Sequence, residues 1–377
     1  MFRSTSWRDI PTILILVLST SLYSQKLLAA EEYITIDRYV RQHPEQKTVM
    51  ADFAKIVTAA AAPTATLLEE PVRIAVIYPS IQAADYWRRS LLSFERRLTA
   101  LHIPYELNFF ASRPAVDSEL QSRQLADALQ WQPDYLIFTL DIAPHSRMID
   151  RMLSQGRPKI ILQNITTPLK QWQTGRPFMY AGFDHVQGTK QLAQSMLEQI
   201  NHRGKYLLLY HSQGYVSRMR GDTFAEEAAK YPGITQVSAY YTDNNIEKAY
   251  QATLQTLQQH PDLKMIYACS TDIALGALQA LRETDRLDIL INGWGGGEAE
   301  LQALQQQELD ITVMRSNDDN GIAMAEAIKL DQYMQTDHVP HIFAGEIKLL
   351  DKKLSLAEIN RLKKHAFRLS GLPAESN

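Results

Sequence analysis

Asn164-Ile-Thr-Thr-Pro-Leu-Lys-Gln-Trp-Gln-Thr-Gly-Arg-Pro-Phe-Met-Tyr-Ala-Gly-Phe-Asp184 is the stretch that decides how this 377-residue chain divides. It holds Pro168, Gly175, Pro177 and Gly182 and no apolar period of 3.6 residues, so it reads as a connection between two halves. Upstream lie four runs rich in β-branched and aromatic residues: Arg73–Tyr78, Tyr105–Phe109, Tyr135–Thr139 and Ile160–Gln163. Downstream lie four more: Tyr206–Tyr210, Val237–Tyr241, Met265–Ala268 and Ile289–Asn292. Helical patterns separate them, among them Tyr86–Leu101, Ser118–Gln130, Gly188–Ile200, Phe224–Tyr231, Ile246–Gln259 and Ile273–Leu281. Runs such as Tyr-Leu-Ile-Phe at 135–138 are apolar throughout, as a strand is when helices cover both its faces. Repeated β-α units imply parallel sheets with right-handed crossovers.

Eight strands suit one closed barrel or two open sheets. The central connection and a late return of the chain favour two sheets. After Met314 a further helix, Gly321–Tyr333, precedes a last strand-like run, Ile342–Leu350, and Ser355-Leu-Ala-Glu358 opens a final helix with a capping box. The expected fold class is therefore α/β, with two Rossmann-like lobes joined by a multi-strand hinge and a helical extension in front. The expected division is lobe 1 from 71–178 with 316–338, lobe 2 from 179–315 with 339–350, and a C-terminal helix within 351–377. Residues 31–62 read as helix, ending in a linker from Pro63 to Pro71.

Composition is that of an ordinary globular protein, 45% hydrophobic and 21% charged, with a formal charge of -3 that gives no basic field for nucleic acid or an anionic membrane. Residues 1–30 have a basic start (Arg3, Arg8), a short apolar run from Ile13 and a small-residue end at Ala29-Ala30. They read as a secretory signal, the run being well short of the roughly 20 apolar residues of a membrane span. The chain is expected to be secreted, without membrane insertion after cleavage. The single cysteine, Cys269, lies in a strand-like run and reads as a buried hydrophobe.

Signatures of catalysis are missing. The sequence has no phosphate loop, no His-Glu-x-x-His, no Cys-x-x-Cys and no Gly-x-Ser-x-Gly, and its ten histidines are scattered. No enzyme activity, cofactor or metal is expected. The polar and aromatic residues cluster instead where open α/β sheets bind ligands, just beyond the carboxyl ends of strands. They are Gln82 and Trp87 after the first run, Asn164 after the fourth, Arg220 after the fifth, Thr271 and Asp272 after the seventh, Trp294 after the eighth, and Arg315 after a later extended run. Each has a plainer reading: Asp272 as a helix cap, Trp87 as core, Arg220 and Arg315 as surface ion pairs with Asp222 and with Asp318 or Asp319. Together they suit a small sugar-like anion, with tryptophan faces for a ring, Asp272 and Asn164 for hydroxyls, and two guanidinium forks for negative charge.

Several of these residues sit in longer stretches: Asp134-Tyr-Leu-Ile-Phe-Thr-Leu-Asp141, Ile161-Leu-Gln-Asn-Ile-Thr-Thr-Pro168, Arg220-Gly-Asp-Thr-Phe224, Ile266-Tyr-Ala-Cys-Ser-Thr-Asp272, Ile291-Asn-Gly-Trp-Gly-Gly-Gly297 and Asp310-Ile-Thr-Val-Met-Arg315. In these the chain resembles the LuxP family of periplasmic autoinducer-2 receptors, which have the ribose-binding, type I periplasmic binding protein fold. The resemblance covers essentially the whole chain after residue 30. It implies a furanosyl borate diester as ligand, boron entering only as part of it, with Arg220 and Arg315 on the borate and Gln82, Trp87, Asn164, Thr271, Asp272 and Trp294 lining the rest. It implies, as partner, the periplasmic domain of the LuxQ sensor kinase. One departure is Ala84, where the family pattern has a serine.

Overall fold

A computed structural model describes residues 33–140, 142–172 and 176–371. The expected signal segment lies outside the described residues. The chain builds two six-stranded sheets. The first comprises β1 (Val72–Tyr78), β2 (Tyr105–Ala111), β3 (Tyr135–Thr139), β4 (Lys159–Gln163), β5 (Met179–Gly182) and β11 (Ile342–Ala344). The second comprises β6 (Gly204–Tyr210), β7 (Ile234–Tyr241), β8 (Leu263–Ala268), β9 (Leu290–Gly295), β10 (Ile311–Arg315) and β12 (Ile347–Asp351). Their orders, β11-β5-β4-β3-β1-β2 and β12-β10-β9-β8-β6-β7, repeat one topology. All pairs are parallel except β10 with β12. Central strands such as β3 are buried at every residue, whereas the edge strand β2 is part-exposed, which is why the central runs read as continuously apolar.

Three expectations need correction. The central stretch is a true connection only in part. Its Met179–Gly182 segment pairs with β4 as β5 of the first sheet, so the boundary falls at Phe183–Asp184, not after residue 178. A four-residue strand is too short to show a period among its flanking prolines and glycine. The run 342–350 is two strands in different sheets, broken at Gly345, so β11 belongs to the first lobe and β12 to the second. The chain thus crosses between lobes at 183–184, 316–317 and 345–346. The crossings are tied side by side, Gly345 N–H donating to Gly182 O at 2.8 Å and Ser316 N–H to Glu346 O at 2.9 Å. The extension, expected as one helix, is two, α1 (Ile36–Gln42) and α2 (Gln46–Thr58), separated around Pro44.

Helices α3 (Tyr86–Ala100), α4 (Ser118–Gln130) and α5 (Ala143–Gln155) belong to the first lobe. Helices α6 (His185–Gln199), α7 (Tyr215–Ala228), α8 (Ile246–Gln259), α9 (Thr271–Glu283) and α10 (Glu298–Gln305) belong to the second. Helix α11 (Asp318–Gln332) returns to the first, against α2, α3 and β5. The extension packs there too. Phe53 of α2 meets Phe343 edge-on with 5.8 Å between ring centres, and the buried Arg97–Glu326 ion pair (2.5 Å) lends its guanidinium to the carbonyl of Ala59. The final helix α12 (Leu356–Ala366) starts at the Ser355/Glu358 capping box expected from sequence. Cys269 is buried, and burial pushes its thiol far up.

Candidate functional site

Where strand order reverses, the loops after adjacent strands part and leave a crevice. Here both sheets reverse, at β1/β3 and at β6/β8, and the two crevices face each other. The cavity between them is lined by Gln82, Ala84, Tyr86, Trp87 and Asn164 of the first lobe, and by His211, Arg220, Asn244, Thr271, Trp294 and Arg315 of the second, with others. Seven of the eight site residues expected from sequence therefore come together: Gln82, Trp87, Asn164, Arg220, Thr271, Trp294 and Arg315.

Arg220 and Arg315 each lie over an aromatic ring at the cavity. Arg220 lies 3.8 Å above the Trp294 ring, donates from Nη1 to the carbonyl of Cys269 at 2.7 Å, and turns Nε and Nη2 to His185 Nδ1 at 3.4 Å. Arg315 lies 4.1 Å above the Tyr86 ring and donates from Nη1 to Asn164 Oδ1 at 3.4 Å. Among the described residues no carboxylate stands within 4.0 Å of Arg315, and its buried Nε has no hydrogen-bond partner. Burial pulls its pKa down, the measure of a cation held out of water. The plainer ion pair with Asp318 or Asp319 is not formed. Asp318 accepts from Leu369 and Ser370 N–H, and Asp319 pairs with Arg368 at 2.7 Å.

Trp294 is expected from sequence to offer a ring face to the ligand. Its outer face is instead covered by Arg220, and its Nε1 donates to Thr189 Oγ1 at 3.2 Å. The buried Glu300 carboxylate orders the loop beneath, accepting from Trp294 N–H (3.0 Å) and Gly296 N–H (2.7 Å). Gln82 donates to the carbonyl of Pro79 and accepts from Asn244 Nδ2 of the opposite lobe at 3.1 Å.

Asp272 departs from its expected place. It does not line the cavity. Its two oxygens accept the backbone N–H groups of Ala83 (2.9 Å) and Ala84 (3.0 Å) across the cleft. Those groups precede α3 and have no helical partner of their own, so a carboxylate from the facing lobe satisfies them. Asp85 reciprocates. It accepts from Arg89 (2.5 Å) and from Glu298 N–H (3.4 Å), the first residue of α10 in the second lobe. A Cβ at Gly297 would stand 2.3 Å from Asp85 Oδ1, so any larger residue there would displace this carboxylate.

Sequence reasoning missed His185, His211, Asp85, Asn244 and Glu300. A single histidine or acid in a helical pattern carries no local signal, and only the pairing of the two lobes shows what each one faces.

Burial holds four imidazoles well below their ordinary value of 6.5: His145 and His211 at about 3, His341 at about 4, and His185. A depressed histidine pKa makes the unfolded chain the better proton binder as pH falls below 6.5, so stability is full above that pH and declines beneath it. The unfolding midpoint should drop between pH 6.5 and 5, where few carboxylates titrate, and His145→Gln should make the slope shallower. A flat profile there would refute neutral burial.

Fold and site define a class: a two-lobed protein that encloses a small polar molecule at a hinge-bound cleft. Residues 74–330 match the family model described as Periplasmic binding protein domain, and the chain belongs to that family. It is similar to the ribose import binding protein RbsB of Bacillus subtilis, 25% identical over 63% of this chain and 75% of that one. It is also similar to the D-apiose import binding protein of Paraburkholderia graminis, 22% identical over 56% and 74%. Among solved structures it shares the fold of an ABC transporter solute-binding protein from Agrobacterium vitis bound with α-D-tagatopyranose, with a TM-score of 0.69, 18% identity and coverage of 77% and 98%. It also shares the fold of a chain in a XylFII-LytSN complex, with a TM-score of 0.63, 14% identity and coverage of 75% and 98%. Among the described residues no helix is long and apolar enough to cross a membrane.

Proposed function

We propose that the protein is a periplasmic receptor whose lobes close on a small sugar-like anion, the furanosyl borate diester form of autoinducer-2, and that the closed form signals to the periplasmic domain of a LuxQ-type sensor kinase. The observation that carries this reading is Arg315, a buried guanidinium with no carboxylate of the described residues within 4.0 Å, in a cavity shared with a second guanidinium, Arg220. A neutral sugar offers nothing to offset that desolvated charge, whereas a tetrahedral borate offers both charge and oxygens. The aromatic ring of Trp87 in the cavity wall suits the sugar ring. Ala84 lines the same cavity and brings no hydroxyl to it. The fold neighbour solved with LytSN is a precedent for such a chain assembling with a second component.

A second reading is the sugar-binding component of an ABC importer. The relatives named for ribose and apiose import support it more directly than they support signalling. Titration calorimetry separates the two. On the receptor reading, added borate raises the affinity for autoinducer-2 at least about tenfold, close to 1.4 kcal/mol. Ribose binding at the same strength with and without borate would assign the importer role instead.

A further inference from the structure

The two arginines meet in one residue that no motif marked. His185 opens α6, immediately after the first crossing between the lobes. Its Nδ1 faces Arg220 Nε and Nη2, both at 3.4 Å, and its Nε2 lies 2.9 Å from the backbone carbonyl of Asn164. A guanidinium has only donors, so Nδ1 must present its lone pair and the proton must sit on Nε2, donating to Asn164. One tautomer of a neutral ring satisfies both contacts. Burial beside Arg220, with Arg315 and His211 also near, holds the imidazole well below its ordinary pKa and keeps it neutral.

The Asn164 contact reaches the second arginine. Asn164 has a left-handed backbone (φ 66°), tied through its N–H to Ala181 O at 2.8 Å, and its side-chain oxygen accepts from Arg315. Gly182 makes room for this turn, because a Cβ there would stand 2.6 Å from Ile165 N. With its carbonyl pinned by His185 and its N–H by β5, the peptide frame of Asn164 is fixed and its amide is aimed at Arg315.

We infer that His185 is a positioning residue for the anion site, holding Arg220 directly and Arg315 through Asn164. This rests on the receptor reading and assigns that same site a further determinant of specificity. The two arms separate by chemistry. Asn at 185 keeps an acceptor near the Nδ1 position and serves Arg220. Gln reaches the Nε2 position and serves Asn164.

The first test needs no ligand. Nitrogen-15 NMR of the intact protein should show Nδ1 unprotonated and Nε2 protonated at neutral pH, and the opposite tautomer overturns the proposal. The second is calorimetry with autoinducer-2 in excess borate. His185→Ala should weaken binding roughly 10- to 100-fold, the range for hydrogen bonds to charged groups. His185→Asn and His185→Gln should each recover part of the loss. A space-filling role would give additive effects. The expected result is coupling: His185→Ala costs clearly less when Arg220→Ala or Arg315→Ala is already present. Additivity with both arginines, or affinity within twofold of wild type, overturns the proposal. If the wild type binds ribose and not the borate diester, the receptor reading fails. The same cycles are then read with ribose, where coupling still supports His185 and additivity still overturns it.

Discussion

Arg315→Ala is expected to weaken ligand binding by roughly 100-fold, about 3 kcal/mol, the cost of truncating one partner of a buried charge pair. The empty protein should melt at the wild-type temperature or slightly above it. Both halves follow from one geometry. Among the described residues Arg315 is, in the empty protein, a desolvated cation with no ion-pair partner, an unpartnered Nε, one long hydrogen bond to Asn164 and a face on Tyr86. Removing it gives up about 1 kcal/mol each from the ring contact and the hydrogen bond. It also removes the burial penalty of an unpaired charge, which is of at least that size. With an anion bound, the same guanidinium supplies charge-assisted hydrogen bonds that nothing else replaces. Arg315→Lys should fall between, keeping charge but losing the planar fork. Calorimetry with thermal melting reads both quantities, and a melting loss of many degrees in the empty Arg315→Ala protein would make the residue structural instead.

How much of this was legible beforehand depends on the scale of the signal. The apolar strand runs around Leu136 and Leu208 announce strands covered on both faces, and Ser355 with Glu358 announces a cap, because each signal is local and repeats over several residues. That Arg220, Arg315, Asn164 and Trp294 share one cavity is legible because polar and aromatic residues at strand ends gather at one place in this architecture, so a position relative to a strand is itself information. Met179–Gly182 and Ile342–Ala344 were misassigned because four- and three-residue strands show no period and are defined only by the neighbours they pair with. Asp272 illustrates the same limit at the level of one side chain. Its place at the start of α9 fitted a cap or a ligand acceptor, and the residues it serves, Ala83 and Ala84, are nearly 190 positions away.

That contact carries the second large effect. Asp272→Ala is expected to shift the ligand-free protein toward an open form, raising its radius of gyration in solution scattering, and to lower ligand affinity about tenfold. The lobes cap one another reciprocally. Asp272 of the second lobe takes two N–H groups ahead of α3, and Asp85 of the first lobe sits over the start of α10 beside Gly297. When the lobes part, the carboxylates and N–H groups all turn to water, so closure gains only the difference between protein and solvent partners. For hydrogen bonds to a charged group that difference is about 1.5–3 kcal/mol each before desolvation. Burial takes part of it back, since it pushes the Asp272 carboxyl above its usual range despite the two N–H groups that pull it down. A remainder near 1.4 kcal/mol shifts the open–closed ratio tenfold, and ligand affinity follows wherever the closed fraction is the minor one. Asp272→Asn should not rescue, because its NH2 would face one of the two backbone donors. Unchanged scattering in both variants, with unchanged affinity, would show that ligand contacts alone hold the lobes together.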